Sequence, residues 1–158
     1  MQDESKQNDE ARALDDSVSG EGRLENGFVV SMMAAGQTLV ADEPPEQGGS
    51  GHGPSPYDYL SLALVSCTIM TLNMYARHKE WPLESVRAEV RHGKIHAKDC
   101  EKCKDKDTAR KVDRFDRVLY LEGDLDDDQR QRLLEIANRC PVHRTLHEEV
   151  EVRTRLAD

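Results

Sequence analysis

Aromatic residues make up only 4% of this 158-residue chain, with a single Trp and two Phe. That scarcity removes the stacking platforms on which single-stranded nucleic acid is held. Positive charge is in short supply too, with 22 Lys and Arg against 31 Asp and Glu, a net charge of −9. Such a chain has no electrostatic grip on phosphate backbones or anionic lipid, so neither nucleic acid nor a membrane is expected as a partner. Long apolar runs are also missing. The longest, Leu60–Leu72, has 13 residues, where a bilayer span needs about 20. The acidic start, with its first apolar run arriving late, does not resemble a secretory leader. A soluble, cytoplasmic, single-domain protein is the expectation. Its 37% hydrophobic content suffices for a modest core, since a chain of this size buries roughly 70% of its unfolded surface.

Residues 1–25 hold eight acidic and three basic residues and few apolar ones. A segment of that kind buries too little to offset its ordering entropy and is expected to be a disordered acidic tail, at least to Asp16. From Asn26 the pattern changes. Gly27–Met33 reads as a strand, Ala35-Gly36 as a turn and Gln37–Ala41 as the hairpin partner. A loop with three prolines and four glycines follows over Asp42–Pro54. Ser55-Pro56-Tyr57-Asp58 then predicts a helix start, with Ser55 as cap, proline where no N–H partner is needed and Asp58 closing a capping box. The helix runs to about Arg77-His78. Leu60, Leu64, Cys67 and Met74 line one side and Leu62, Val65, Ile69 and Leu72 another, so it is expected to be buried all round. One chain of this size has too little else to surround it, which points to a partner subunit.

Beyond Trp81-Pro82, Leu83–His96 and Val112–Glu122 read as strands joined by a polar loop over Ala97–Arg110. Gly123 ends the second strand and Asp124 or Asp126 caps a helix over Asp127–Arg139, with Leu133, Leu134, Ile136 and Ala137 inward. Pro141 opens a short helix to about Leu146, and Glu149–Leu156 alternates like a closing strand. Hairpins mixed with helices define an α+β class.

Four cysteines, Cys67, Cys100, Cys103 and Cys140, in a long chain without an export signal point to redox or metal chemistry rather than to structural bridges. Cys67 lies about three turns inside the apolar helix, where a cysteine is also an ordinary small core residue. The helix dipole has faded there, so a reactive Cys67 needs a nearby cation or hydrogen-bond donor. Cys140, before Pro141-Val142-His143, sits at a helix N-cap between Arg139 and Arg144, a setting that favours a thiolate. His92, His96, Cys100 and Cys103 have the H-x3-H-x3-C-x2-C spacing of a zinc site. An exposed loop with incidental thiols fits the same residues. His52, in the Gly-rich loop, reads as a solvated histidine, and Tyr57 and Tyr59 as packing residues.

Two stretches carry a family resemblance. Gly53–Leu60 with Ala63-Leu64-Val65-Ser66-Cys67-Thr68 resembles the first cysteine helix of the OsmC/Ohr family, the osmotically inducible and organic-hydroperoxide-resistance proteins. Ile136–Leu146 resembles its second cysteine signature, and Asp42-Glu43-Pro44 with Gly48-Gly49 resembles its lead-in. The likeness extends from about Gly27 to Leu156. It implies curved antiparallel sheets around long central helices in an intertwined homodimer. It also implies a cysteine (hydro)peroxide reductase without a cofactor. By that likeness Cys67 is the peroxidatic thiolate and Cys140 resolves its sulfenic acid into a disulfide, which some dithiol partner then reduces. Strict hydroperoxide reductases carry a glutamate directly after the helix-start proline. Here that position is Tyr57, and the carboxylate expected to serve at the site is Asp58. On a helix that one-residue shift is a rotation of about 100°. No arginine lies between Asn26 and Pro56, and Arg23 is the nearest upstream. The chain therefore fits the broader OsmC-like branch. A redox-sensing or ligand-binding protein on the same fold is the alternative.

Overall fold

In a computed structural model, which describes residues 17–101, 103 and 109–157, the predicted Ala35-Gly36 turn has positive φ at both residues, 49° and 72°. That backbone matches the twist of paired strands, although the left-handed conformation costs Ala35 about 1 kcal/mol. The turn joins β2 (Val30–Ala34) to β3 (Gln37–Ala41), antiparallel, with Ala34 opposite Gln37. β2 begins three residues later than expected, because a tight turn at Leu24–Asn26 and a positive φ at Gly27 precede it. On the other side of β2 lies β1 (Ser19–Gly22), also antiparallel. The expected tail boundary at residue 25 is thus corrected: the open edge of β2 offers unpaired backbone groups, and a segment whose side chains all stay exposed can satisfy them. Residues 1–16 lie outside the described part, as do 102 and 104–108 of the polar loop.

The described chain divides into two compact units, one ending at Tyr59 and one beginning at Leu60. In the first, the Gly/Pro-rich loop is ordered around one buried carboxylate. Asp42 Oδ2 accepts from the Ser50 amide (3.0 Å), the Ser50 hydroxyl (2.7 Å) and the His52 amide (3.0 Å), while Oδ1 accepts from the Glu43 amide (2.8 Å). These donors hold Asp42 down at about 2, below its ordinary 3.8, with the His52 amide the largest cause. Gly49 packs so close to the Glu43 backbone that a side chain there has no room. The imidazole of His52 is largely exposed, and its Nδ1 lies 2.6 Å from Ser50 Oγ. Tyr59 packs in this unit with its hydroxyl donating to Val40 O at 2.7 Å.

The capping box forms as predicted. Ser55 Oγ accepts from the Asp58 amide, and Asp58 Oδ2 accepts from both the amide and the hydroxyl of Ser55. It starts α1 (Pro56–Lys79). Within the single chain only Leu64, Thr68, Leu72 and Ala76 of α1, one stripe at four-residue spacing, are buried, which leaves uncovered the part expected to meet a partner subunit. Leu62, Met70 and Met74 are more than half exposed. At 24 residues α1 is long and apolar enough to cross a membrane by length and composition, further than its 13-residue unbroken run suggested. Polar residues fit within it because their hydroxyls bond back along the helix, Thr68 to Leu64 O at 2.6 Å and Thr71 to Cys67 O at 2.7 Å.

In the second unit β4 (Leu83–His96) pairs antiparallel with β5 (Lys111–Gly123) in one long hairpin. An irregularity between Leu83 and Ser85 lets both Leu83 and Val86 reach the core. Asp126, not Asp124, caps α2 (Asp127–Ala137) in a full capping box with Gln129. That helix ends two residues before Arg139, and Leu134, expected inward, is 47% exposed. The core joins Leu72 of α1 to Leu125 and to Leu133, Ile136 and Ala137 of α2, with Tyr75, Trp81, Leu83, Val86, Leu119 and Leu121 around them. Full burial of Leu72 and Leu133 contributes roughly 2 kcal/mol each. Cys140 caps α3 (Pro141–His147). The closing strand expected over Glu149–Leu156 does not form. Among the described residues no strand pairs with it, and Val150, Val152 and Leu156 are exposed.

The Asp42 carboxylate sets an acid limit on the fold. A group whose folded pKa lies below its ordinary value stabilises the fold fully above that ordinary value and loses this as pH falls toward about 2. Asp42→Asn is therefore expected to lower the melting temperature at neutral pH and to flatten its decline between about pH 4 and about pH 2. An acid limb of wild-type steepness in the variant would contradict that origin.

Candidate active site

Two of the four cysteines come together at the start of α3. Pro141 has no N–H, so the first backbone donors of this helix are Val142 and His143. The His143 amide donates to Cys140 Sγ at 3.4 Å, making Cys140 a sulfur N-cap as its sequence position predicted. The Val142 amide donates to Cys67 Sγ at 3.5 Å. Neighbouring N–H groups of one helical turn thus hold both sulfurs. Both thiols are free; Cys67 is half-buried and Cys140 fully buried.

Behind Cys140 lies a polar group that the sequence reading did not find. Thr68, next in sequence to Cys67 and fully buried, places Oγ1 3.6 Å from Cys140 Sγ. Arg117 of β5 donates from Nη1 to that hydroxyl at 2.7 Å and from Nη2 to Asn138 Oδ1 at 3.0 Å. Its Nη1 is 4.0 Å from Cys140 Sγ. Phe115, Arg117, Leu119 and Leu121 are the alternate, more buried positions of β5. An arginine in the apolar phase of a strand was the available signal, since charge is placed there only where something needs it. The family resemblance pointed instead to the N-terminal strands for an activating arginine. There Arg23 is exposed and paired with Glu21 at 3.2 Å.

Asp58, expected at the site, is at the first turn of α1 with Oδ2 taken up by Ser55. The zinc constellation does not assemble. Cys100 and Cys103 form a disulfide with Cα atoms 5.4 Å apart, which removes the thiolates a metal needs. His92 Nε2 bonds Asp113 Oδ1 at 2.8 Å and its ring leans on Phe115. Lys94 and His92 together hold the Asp113 carboxyl below its ordinary range. Among the described residues no group of three or more His, Cys, Asp or Glu gathers to hold a metal ion.

A half-buried thiol and a buried one, with N–H donors at both sulfurs and a guanidinium behind the second, thus meet at one helix turn of an α+β fold. Over residues 48–155 the chain matches the family model described as OsmC-like protein, and it belongs to that family. The fold is shared with an osmotic stress induced and detoxification response protein from Psychrobacter arcticus, at 19% identity and TM-score 0.64 over 81% of this chain and 85% of that one. An OsmC-like protein from Mycoplasma pneumoniae aligns at 14% identity and TM-score 0.64 over 83% and 86%. An organic hydroperoxide resistance protein from Legionella pneumophila aligns at 17% identity and TM-score 0.61 over 82% and 87%. No curated protein sequence matches the chain.

The difference in burial orders the two thiols. In the native reduced protein a maleimide is expected to label Cys67 well before Cys140, which should react only on unfolding, as read by peptide mass mapping. Equal rates would place the two sulfurs in environments other than those described.

Proposed function

We propose that this protein is a thiol-dependent peroxidase in which Cys67 attacks a peroxide and Cys140 resolves the product. The observation that carries this is the shared helix turn, whose Val142 and His143 amides hold the two sulfurs. Attack by the Cys67 sulfur on the outer peroxide oxygen breaks the O–O bond, releases an alcohol or water and leaves a sulfenic acid. Attack by Cys140 on that sulfur forms a disulfide and releases water. A dithiol reductant then restores both thiols. Burial of Cys140 keeps peroxide from reaching it directly. Membership of the OsmC-like family supports the chemistry, as does the description of the Legionella relative as an organic hydroperoxide resistance protein. We place the cycle in the cytoplasm, where dithiol donors are kept reduced.

A second reading, a redox sensor or ligand-binding protein that turns peroxide over poorly, is favoured by one observation. Among the described residues no cation contacts Cys67 Sγ, and the Asp58 carboxylate is committed to the helix cap. Consumption of cumene hydroperoxide and hydrogen peroxide with a dithiol separates the two readings. Wild type is expected to turn over and Cys67→Ser to fall to the uncatalysed rate. Cys140→Ser should manage one turnover and then overoxidise at Cys67. Wild-type rates no faster than free thiol would leave the sensor reading.

We further propose that the working form is a homodimer. The exposed apolar face of α1, with Leu62, Met70 and Met74, and the unpaired C-terminal segment with Val150, Val152 and Leu156 support it. Sedimentation is expected to give about twice the 17.9 kDa chain mass. Met70→Glu with Met74→Glu should shift the protein toward monomer. A monomeric wild type at micromolar concentration would defeat the assignment.

A further inference from the structure

The guanidinium of Arg117 is an awkward guest in its strand. It occupies an inward-phase position between Phe115 and Leu119, and among the described residues it has no carboxylate partner. A charge so placed is costly unless something beside it uses the charge. Every polar contact it makes leads to one place. Asn138, two residues before Cys140, takes Nη2, and Thr68 takes Nη1. The Cys140 sulfur is the next atom along, at 3.6 Å from the Thr68 hydroxyl and 4.0 Å from Nη1.

The protons of this cluster can be assigned. Thr68 has one hydroxyl hydrogen, and it is donated to Leu64 O at 2.6 Å. Its oxygen accepts from Arg117, leaving one lone pair for an S–H. A neutral Cys140 can therefore donate to Thr68 Oγ1 while its sulfur accepts from the His143 amide. When the sulfur becomes anionic, that S–H bond is lost and the Arg117 N–H is the donor that can turn to it. We propose that Arg117, anchored through Thr68 and Asn138, is a positioning residue for Cys140: it orients the thiol and supplies positive charge where the sulfur becomes anionic. This rests on the reading that Cys67 and Cys140 exchange with each other.

The steps it assists balance. In closure, Cys140 Sγ bonds Cys67 Sγ and the S–O bond of the sulfenic acid breaks. The Cys140 proton leaves with the hydroxyl as water, and the Cys140 sulfur is oxidised as the sulfenic sulfur is reduced. In reopening, a thiolate of the dithiol reductant attacks Cys67 Sγ, the S–S bond breaks, and Cys140 departs as a thiolate beside Arg117. The second reductant thiol then displaces Cys67, so the reductant ends as its own disulfide.

The test compares full-length wild type with Arg117→Met, Arg117→Gln and Arg117→Lys, each checked for its melting temperature. Reduced protein receives one equivalent of cumene hydroperoxide, from about pH 5 to about pH 9, which brackets the ordinary thiol range. Intact mass and non-reducing peptide maps follow sulfenic acid formation at Cys67 and disulfide closure separately. Removing the charge is expected to slow closure about tenfold near neutral pH, the scale of one charge-assisted hydrogen bond, and to move its pH profile upward. Sulfenic acid formation should change little, and Arg117→Lys should recover most of the closure rate. A merely structural role would move the melting temperature but not the pH profile. If Arg117→Met is poorly folded, Arg117→Gln carries the comparison. Closure at the wild-type rate and pH profile in the uncharged variants overturns the proposal. If wild type makes no sulfenic acid, it is the peroxidase reading that fails. The two-electron oxidant diamide then forms the disulfide, and reopening by dithiothreitol tests Arg117 with the same variants. Failure of either oxidant to link Cys67 to Cys140 overturns the proposal as well.

Discussion

The first turn of α3 cannot satisfy its own N–H groups, and that constraint organises both sulfurs. A helix leaves its leading amides without internal partners. Pro141 removes one of them, and the Val142 and His143 amides turn to Cys67 and Cys140. Sulfur is a weak acceptor, so a thiol gains little from such a bond. A charge-assisted bond of the same geometry is stronger. Cys140-Pro141 is a local device of this kind: one residue caps the helix and the next clears the space for its amides to reach outward.

What faces that turn is decided by α1. Its buried stripe, Leu64, Thr68, Leu72 and Ala76, recurs every four residues. Leu72 anchors in the core with Leu133, while Thr68 carries a polar atom to the same depth. A buried hydroxyl is tolerated because Leu64 O and Arg117 complete its hydrogen bonds. Cys67 follows from this arrangement. One position before Thr68 on the helix, it is rotated partly out of the core and is half-buried, whereas Cys140 is sealed. One hundred degrees of helix separates a packed hydroxyl from a thiol that reagents can approach.

Most of the local structure was legible because its signals are local. The Ser55–Asp58 capping box, the Ala35-Gly36 turn, the β4 and β5 segments and the Cys140 cap all formed where residue chemistry placed them. The failures share a different cause. β1 was read as tail because its side chains bury nothing, yet it pairs through its backbone with β2. The alternating segment after Glu148 was read as a strand because alternation is a real β signal, but a strand needs a neighbour to pair with.

The same division runs through the site. Cys67 and Cys140 were singled out by the resemblance of two runs of consecutive residues to the OsmC/Ohr family, and the cap at Cys140 was legible besides from local chemistry. Residue order could not bring Arg117 to Cys140, because 23 residues of strand, turn and helix separate them and only the packing of β5 beside α1 closes that gap. Nor could it tell whether Cys100 and Cys103 would hold a metal or bond to each other. A capping motif is settled within one turn of chain, by the backbone groups it satisfies. A cation placed behind a buried sulfur depends on which strand lies under which helix, and only the folded chain determines that.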